Sequence, residues 1–156
     1  GDVIGGMMLA HKASAEGVVA AEAIAGMEVR RPDPDRIPAC VFCRPEVATI
    51  GVSEEEAKRR GIDYKAAKFP FTALGKAVAS GHTEGFVKMI ADAKYGEVIG
   101  CHIIGAGAPD MIAELSLARS LEATFHEIGR TVHAHPTLPE AIREAALMLG
   151  GEAIDL

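Results

Sequence analysis

Apolar and polar positions alternate along this chain with two different periods, broken by Gly and Pro. Positions 8–25 are rich in Ala, Val and Glu and contain no Pro. They predict one helix of about four to five turns, with Gly26 as its left-handed terminator. The next stretch, "GMEVRRPDPDRIP", holds Pro32, Pro34 and Pro38 and reads as a linker or extended crossing. "ACVFCRPEVATIGV" then gives two short β-prone runs around Arg44-Pro45. Ser53 and Glu56 have the spacing of a capping box, and Gly61 closes the short helix that follows. "DYKAAKFPF" predicts a further strand, and "TALGKAVASGHTEG" a polar, Gly-containing connection.

"FVKMIAD" and "EVIGCHIIG" predict a hairpin around "AKYGE". Pro109 then opens a helix to about 123, where Met111, Ile112, Leu115, Ala118 and Leu121 share a stripe. "TFHEIGRT" predicts a helical turn. A last helix over 138–149 presents Ile142, Ala145, Ala146 and Leu149, and the tail "GGEAIDL" follows. From residue 37 the predicted order is β, β, α, β, β, β, α, α. Strands joined by hairpins imply an antiparallel sheet with helices packed on it, an α+β domain over 37–156. Residues 1–36 do not fit that domain and are expected to be the end of another. The stripes at 109–123 and 138–149 are more apolar surface than a small sheet needs, which predicts a two-fold dimer.

Composition narrows the function classes. Apolar residues make up 49%, aromatics only 4%, and there is no Trp, so Ala and Gly must carry much of the packing. A formal charge of −6 argues against a nucleic-acid binder, which needs a basic patch. No apolar run reaches the length of a membrane span. Three cysteines, Cys40, Cys43 and Cys101, are expected to be reduced thiols of a cytoplasmic protein, or of the mitochondrial matrix in a eukaryote. Cys40-Val-Phe-Cys43 lies in a β-prone run rather than at a strand-to-helix turn, so two small core residues are expected there. "GAGAPD" at 105–110 lacks a third glycine and reads as a strand-to-helix turn. "GDVIGG" before the first helix is a place where backbone N–H groups can meet an anionic or polar ligand.

The stretch with the most chemical content is "TVHAHPTLPEAIREAA", residues 131–146. A catalytic histidine needs a carboxylate that fixes its tautomer, and the "HPTLPE" turn can fold Glu140 back to His135. The competing structural reading is a helix cap, since Thr137-Leu138-Pro139-Glu140 is itself a T-x-x-E box. His133 and His135 also have a metal-ligand spacing, but no third ligand stands near in sequence, so no metal is expected.

Four segments occur together in a familiar order: "GDVIGGMMLAHKASAEG", "IPACVFCRPEVATIGVSEEEAK", "EGFVKMIADAKYGEVIGCHIIGAGAPDMI" and "HAHPTLPEAIREAA". With them the chain resembles the C-terminal part of the dihydrolipoamide dehydrogenases, which are flavoprotein disulfide reductases. "MLAHKA" points to the lipoamide branch rather than the glutathione or mercuric branches. The resemblance implies a homodimer that uses FAD and NAD to oxidise dihydrolipoamide to lipoamide. Its partner would be the lipoyl domain of a 2-oxo acid dehydrogenase complex or of the glycine cleavage system. Asp2 matches a contact to the flavin's ribityl chain, and Met8, Leu9, Ala10 and His11 match the segment beside the flavin ring. His135 matches the catalytic base, Glu140 its carboxylate, and His133 a histidine near the site. The family's C-x-x-x-x-C redox pair and its Gly-x-Gly-x-x-Gly loops do not occur in these 156 residues. A fragment or one piece of a split enzyme is therefore expected, partnered by a missing N-terminal portion and binding no cofactor tightly alone. The alternative is a stand-alone dimerisation module of the same fold without catalysis, which the "GD" start inside a flavin-site loop disfavours.

Overall fold

The computed structural model describes residues 1–154. Five strands form one fully antiparallel sheet: β1 (Ala39–Val41), β2 (Val47–Gly51), β3 (Tyr64–Pro70), β4 (Phe86–Asp92) and β5 (Val98–Ile104). Their spatial order is β1-β2-β5-β4-β3. The alternation of side chains along a strand decides which residues face inward. Ala48, Ile50, Phe69, Val87, Met89, Cys101 and Ile103 are buried on one face, and Thr49, Lys88 and His102 are only partly buried between them. Gly51 and Gly100 pair across β2 and β5. A Cβ on Gly100 would sit 2.0 Å from the Val52 carbonyl oxygen, so only glycine allows this approach.

Six α-helices complete the fold among the described residues. They are α1 (Ala10–Ile24), α2 (Glu54–Arg59), α3 (Gly75–Ser80), α4 (Ala108–Ser120), α5 (Phe125–Arg130) and α6 (Glu140–Gly150). α4 packs on β2 and β5, and α6 on β3 and β4. Ala141, Ile142, Ala145, Ala146 and Leu149 recur at helical spacing and are buried as one face of α6. The alanines bring its axis close to the sheet, which is how a chain poor in aromatics fills its core.

The predicted α+β class and strand pairing hold, and four local expectations do not. The "TALGKAVASGHTEG" connection contains α3, whose Ala77 is buried and whose end is set by Gly81 at φ 74°. Its polar residues lie on the exposed side of a short amphipathic turn, which hid the helix. Ser53 caps α2 by accepting from the Glu56 N–H at 3.1 Å, but Glu56 turns to Arg59 and Arg60 instead of closing the box. Leu121 ends α4 with its side chain 70% exposed, because the helix stops at Ser120 before the stripe reaches it. Cys43 is exposed in the turn after β1 while Cys40 packs against the core, so the two do not share one environment.

The apolar stripes of α4 and α6 are consumed by the sheet of their own chain. Met111, Ile112, Leu115, Ile142, Ala145 and Ala146 all belong to the single core. These buried stripe residues are therefore not the spare apolar surface that the sequence pattern suggested. On α1, by contrast, only Lys12 is buried, while Val18 and Ile24 are exposed. α1 touches the rest through His11, whose Nε2 lies 2.7 Å from the Pro38 carbonyl oxygen. No helix among the described residues is long and apolar enough to cross a membrane. Of the predicted tail, residues 155 and 156 lie outside the described part, and Ile154 donates its N–H to the buried Glu144 at 2.9 Å.

Candidate functional site

The loop between α5 and α6 carries the histidines, and both of its ends are fixed by the sequence around it. Before it, Thr124 and Glu127 form a complete capping box at the N-terminus of α5, worth about 1 kcal/mol to that short helix, and α5 packs along α6. At the far end, Glu140 is the first residue of α6.

His135 and Glu140 are brought together, with Nδ1 and Oε1 2.9 Å apart. A carboxylate only accepts, so Nδ1 carries the hydrogen of this bond, and in the neutral ring the lone pair is left on Nε2. The ring is 78% exposed, whereas the Glu140 side chain is 18% exposed. The second oxygen, Oε2, accepts the Thr137 N–H at 2.7 Å. Thr137 Oγ1 in turn donates to the Ala134 carbonyl at 2.6 Å, and the His135–Pro136 peptide is cis. The cap geometry and the histidine pairing thus coexist, one on each oxygen. Burial works to raise the Glu140 pKa, but the bonds from Thr137 and His135 outweigh it and leave the carboxyl below its ordinary value.

A depressed carboxylate favours the folded form above its ordinary pKa and loses that contribution as pH falls through the lower folded value. The 131–140 loop is therefore expected to keep its His135 contact at neutral pH and to release it on acidification below the ordinary carboxylate range. Ring signals of His135 followed by NMR through that range check this. A contact unchanged down to full protonation of surface carboxylates would contradict it.

His133 stands two residues away in a different setting. Its ring is 6% exposed, with Nε2 2.9 Å from Glu114 Oε1 on α4 and Nδ1 3.0 Å from the Thr131 carbonyl oxygen. The two histidines do not converge on one point, since each has its own carboxylate. Among the described residues no group of three His, Cys, Asp or Glu side chains is arranged to hold a metal. Glu114 was not singled out from sequence. The available signal was a lone acid at the edge of the Met111–Leu115 stripe.

The other sequence candidates lie at the N-terminal end. Asp2 begins a 3-10 turn (Asp2–Ile4) with its side chain exposed. Met8 is 72% exposed and Leu9 half-buried, and Ala10 and His11 open α1, whose N-terminus has no side-chain cap. None of the hydrogen bonds or ion pairs formed by the described residues joins them to His133, His135 or Glu140. The Gly-x-Gly of "GAGAPD" is a strand-to-helix turn, and the Gly107 N–H there donates to Glu46 Oε2 at 2.8 Å. That bond gives α4 the cap its own sequence lacks.

Residues 37–146 match the dimerisation domain of the pyridine nucleotide-disulphide oxidoreductases. The chain is 50% identical over 99% of its length to a dihydrolipoyl dehydrogenase of Bacillus subtilis, and covers 32% of that protein. To the dihydrolipoyl dehydrogenase of Zymomonas mobilis it is 48% identical over 99% of its length, covering 33%. Among solved structures, LpdA from Mycobacterium tuberculosis superposes with a TM-score of 0.88 at 28% identity, over 93% of this chain and 32% of that one. The flavoprotein disulfide reductase RclA from Escherichia coli shares the fold, with a TM-score of 0.86 at 22% identity. The chain spans about a third of the length of these relatives. The antiparallel sheet, the helices on its face and the match over residues 37–146 together make this chain a member of the pyridine nucleotide-disulphide oxidoreductase family, carrying its dimerisation domain.

Proposed function

We propose that this chain supplies the acid–base group and the dimer contact of a flavoenzyme that oxidises dihydrolipoamide to lipoamide with NAD. The observation that carries the reading is the 2.9 Å His135–Glu140 pair, which leaves the lone pair of the neutral ring on Nε2. Dithiol chemistry needs such a base. The thiolate is the nucleophile, and a free thiol with a pKa of about 8.5 is mostly protonated at neutral pH. In this reading Nε2 of His135 takes the proton of one substrate thiol. The resulting thiolate attacks a disulfide sulfur held outside this chain, forming a mixed disulfide and breaking the original S–S bond. Glu140 keeps Nδ1 protonated and stabilises the imidazolium that forms. The family's dimerisation domain supports a homodimer, in which His135 serves the neighbouring subunit's disulfide. The lipoyl group would arrive on a carrier domain of a 2-oxo acid dehydrogenase or glycine cleavage system.

Residues 1–36 are assigned to the end of the FAD-binding domain, and residues from 37 to the dimerisation domain. FAD, when bound, would supply the acceptor for the electrons of the dithiol, with NAD as the final oxidant. An uncapped helix N-terminus beside exposed apolar side chains suits one edge of a flavin: Met8, Leu9, Ala10 and His11 would line the ring and Asp2 would accept from a hydroxyl. One wall is not a pocket, so the purified chain is expected to be colourless. A flavin absorption band would contradict this.

The experiment is a hybrid in which this chain replaces the matching third of the Bacillus subtilis dihydrolipoyl dehydrogenase. The hybrid is expected to bind FAD, form a dimer and oxidise dihydrolipoamide. A folded, flavin-containing hybrid dimer without dithiol oxidation would favour a dimerisation module with no catalytic role.

A further inference from the structure

We propose that Glu114 is a positioning residue for His135, acting through the ring of His133. The inference rests on the reading of His135 as the base and extends it to α4. Around His133 the loop is open: Val132 is 94% exposed, and Ala134, His135 and Pro136 are exposed. Only the His133 ring, 6% exposed, reaches into the body of the domain. It ends on Glu114 Oε1 at 2.9 Å, across 19 residues of sequence. Glu114 rides on the helix whose Ile112 and Leu115 are buried in the core, so it is a fixed point. His135 is then held between two anchors. Glu140 fixes its ring from the C-terminal side and the His133–Glu114 contact fixes its backbone from the N-terminal side.

Both partners of His133 are acceptors, the Thr131 carbonyl and the Glu114 carboxylate. A neutral imidazole donates from one nitrogen only, so a neutral ring can donate to Glu114 or to the Thr131 carbonyl but not to both at once. The charged groups around it are Glu114 from α4, Arg130 from α5, and Glu140 and Arg143 from α6; all but Glu114 line one cleft of about 350 Å³ with His133. Glu114 thus holds the residue two positions before the base and bears on the placement of His135 through the loop backbone. No distance links Glu114 to His135 directly. Misplacing a reacting group by about 1 Å can cost on the order of 10²-fold in rate, so a loop held at one end only would be felt in turnover.

The test follows Glu114→Ala and Glu114→Gln in two settings. In this chain, ¹⁵N-resolved NMR of the imidazoles reads both rings. Glu114→Ala is expected to abolish the slowly exchanging Nε2–H of His133 and to shift the ring signals of His135. Glu114→Gln should retain both, because its amide oxygen still accepts from Nε2. In the hybrid enzyme, Glu114→Ala is expected to lower kcat for dihydrolipoamide about 10–100-fold with KM unchanged. NADH-driven reduction of a quinone through the flavin, which needs no base at the dithiol, should be untouched, and Glu114→Gln should restore most of kcat. If Glu114→Ala alters His133 alone, with His135 signals and dithiol kcat as in the parent, the proposal is overturned and Glu114 is only a clasp. If His135→Gln leaves dithiol oxidation intact while Glu114→Ala still moves the His135 signals, the positioning stands and the base assignment fails.

Discussion

Replacing His135 by Gln in the hybrid flavoenzyme is expected to lower dihydrolipoamide oxidation at neutral pH by about 10²–10⁴-fold, the usual contribution of a positioned general base. Gln keeps the size of the side chain and can still donate to Glu140, so the fold should not change. What it lacks is the lone pair of Nε2. The loss should shrink as pH rises through the ordinary thiol pKa of about 8.5, because the substrate then ionises without help. Glu140→Gln should cost less, since its single amide oxygen can still accept from Nδ1–H, although the Thr137 N–H then faces the amide NH2 and loses its acceptor. Quinone reduction by NADH should be unaffected in both. Steady-state rates across the pH range separate these cases: an equal deficit at every pH would point to misfolding of the loop rather than to a missing base.

Phe69→Ala is expected to destabilise the isolated chain by about 3–5 kcal/mol, the range for removing a large side chain from a rigid core. Phe69 is fully buried in β3 beneath the helix that begins with Glu140. Domains are commonly stable by only about 5–15 kcal/mol, so this one cavity removes a large share of the total. The surrounding sheet is pinned by strand pairing on the β4 side and cannot collapse into the space. Urea unfolding of the parent and variant gives the difference directly. Val132→Ala, at a side chain 94% exposed, serves as the control and should stay within about 0.5 kcal/mol. A Phe69→Ala change below 1 kcal/mol would show that the α6 face is less tightly packed than the burial implies.

The sheet was legible in the sequence because its strands alternate and its hairpins carry turn residues. The "HAHPTLPE" stretch was legible because two constraints on one carboxylate are visible as residue types: an acceptor-hungry N–H at Thr137 and a ring at His135. What stayed hidden is long-range. Glu114 meets His133 only because α4 and the loop after α5 lie side by side, and nothing local to either announces it. Glu46 capping α4 at Gly107 is hidden for the same reason, with 61 residues between the partners. α3 was missed because six residues give one buried alanine and too short a period to read. The apolar stripes of α4 and α6 are spent on the chain's own sheet, since periodicity reports that a face is buried and not against what, and the support for a homodimer comes from the family's dimerisation domain.

The most direct measurement is the rate of flavin reduction by dihydrolipoamide, followed by stopped flow, in the hybrid dimer carrying this chain. The expected result is reduction within about tenfold of the parent Bacillus subtilis enzyme, with the base supplied by His135 lost on substitution in the manner of a general base. A hybrid that binds flavin, dimerises and reduces quinone with NADH, yet whose flavin is not reduced by the dithiol, would contradict the assignment of His135 and Glu140 as the acid–base pair of this chain.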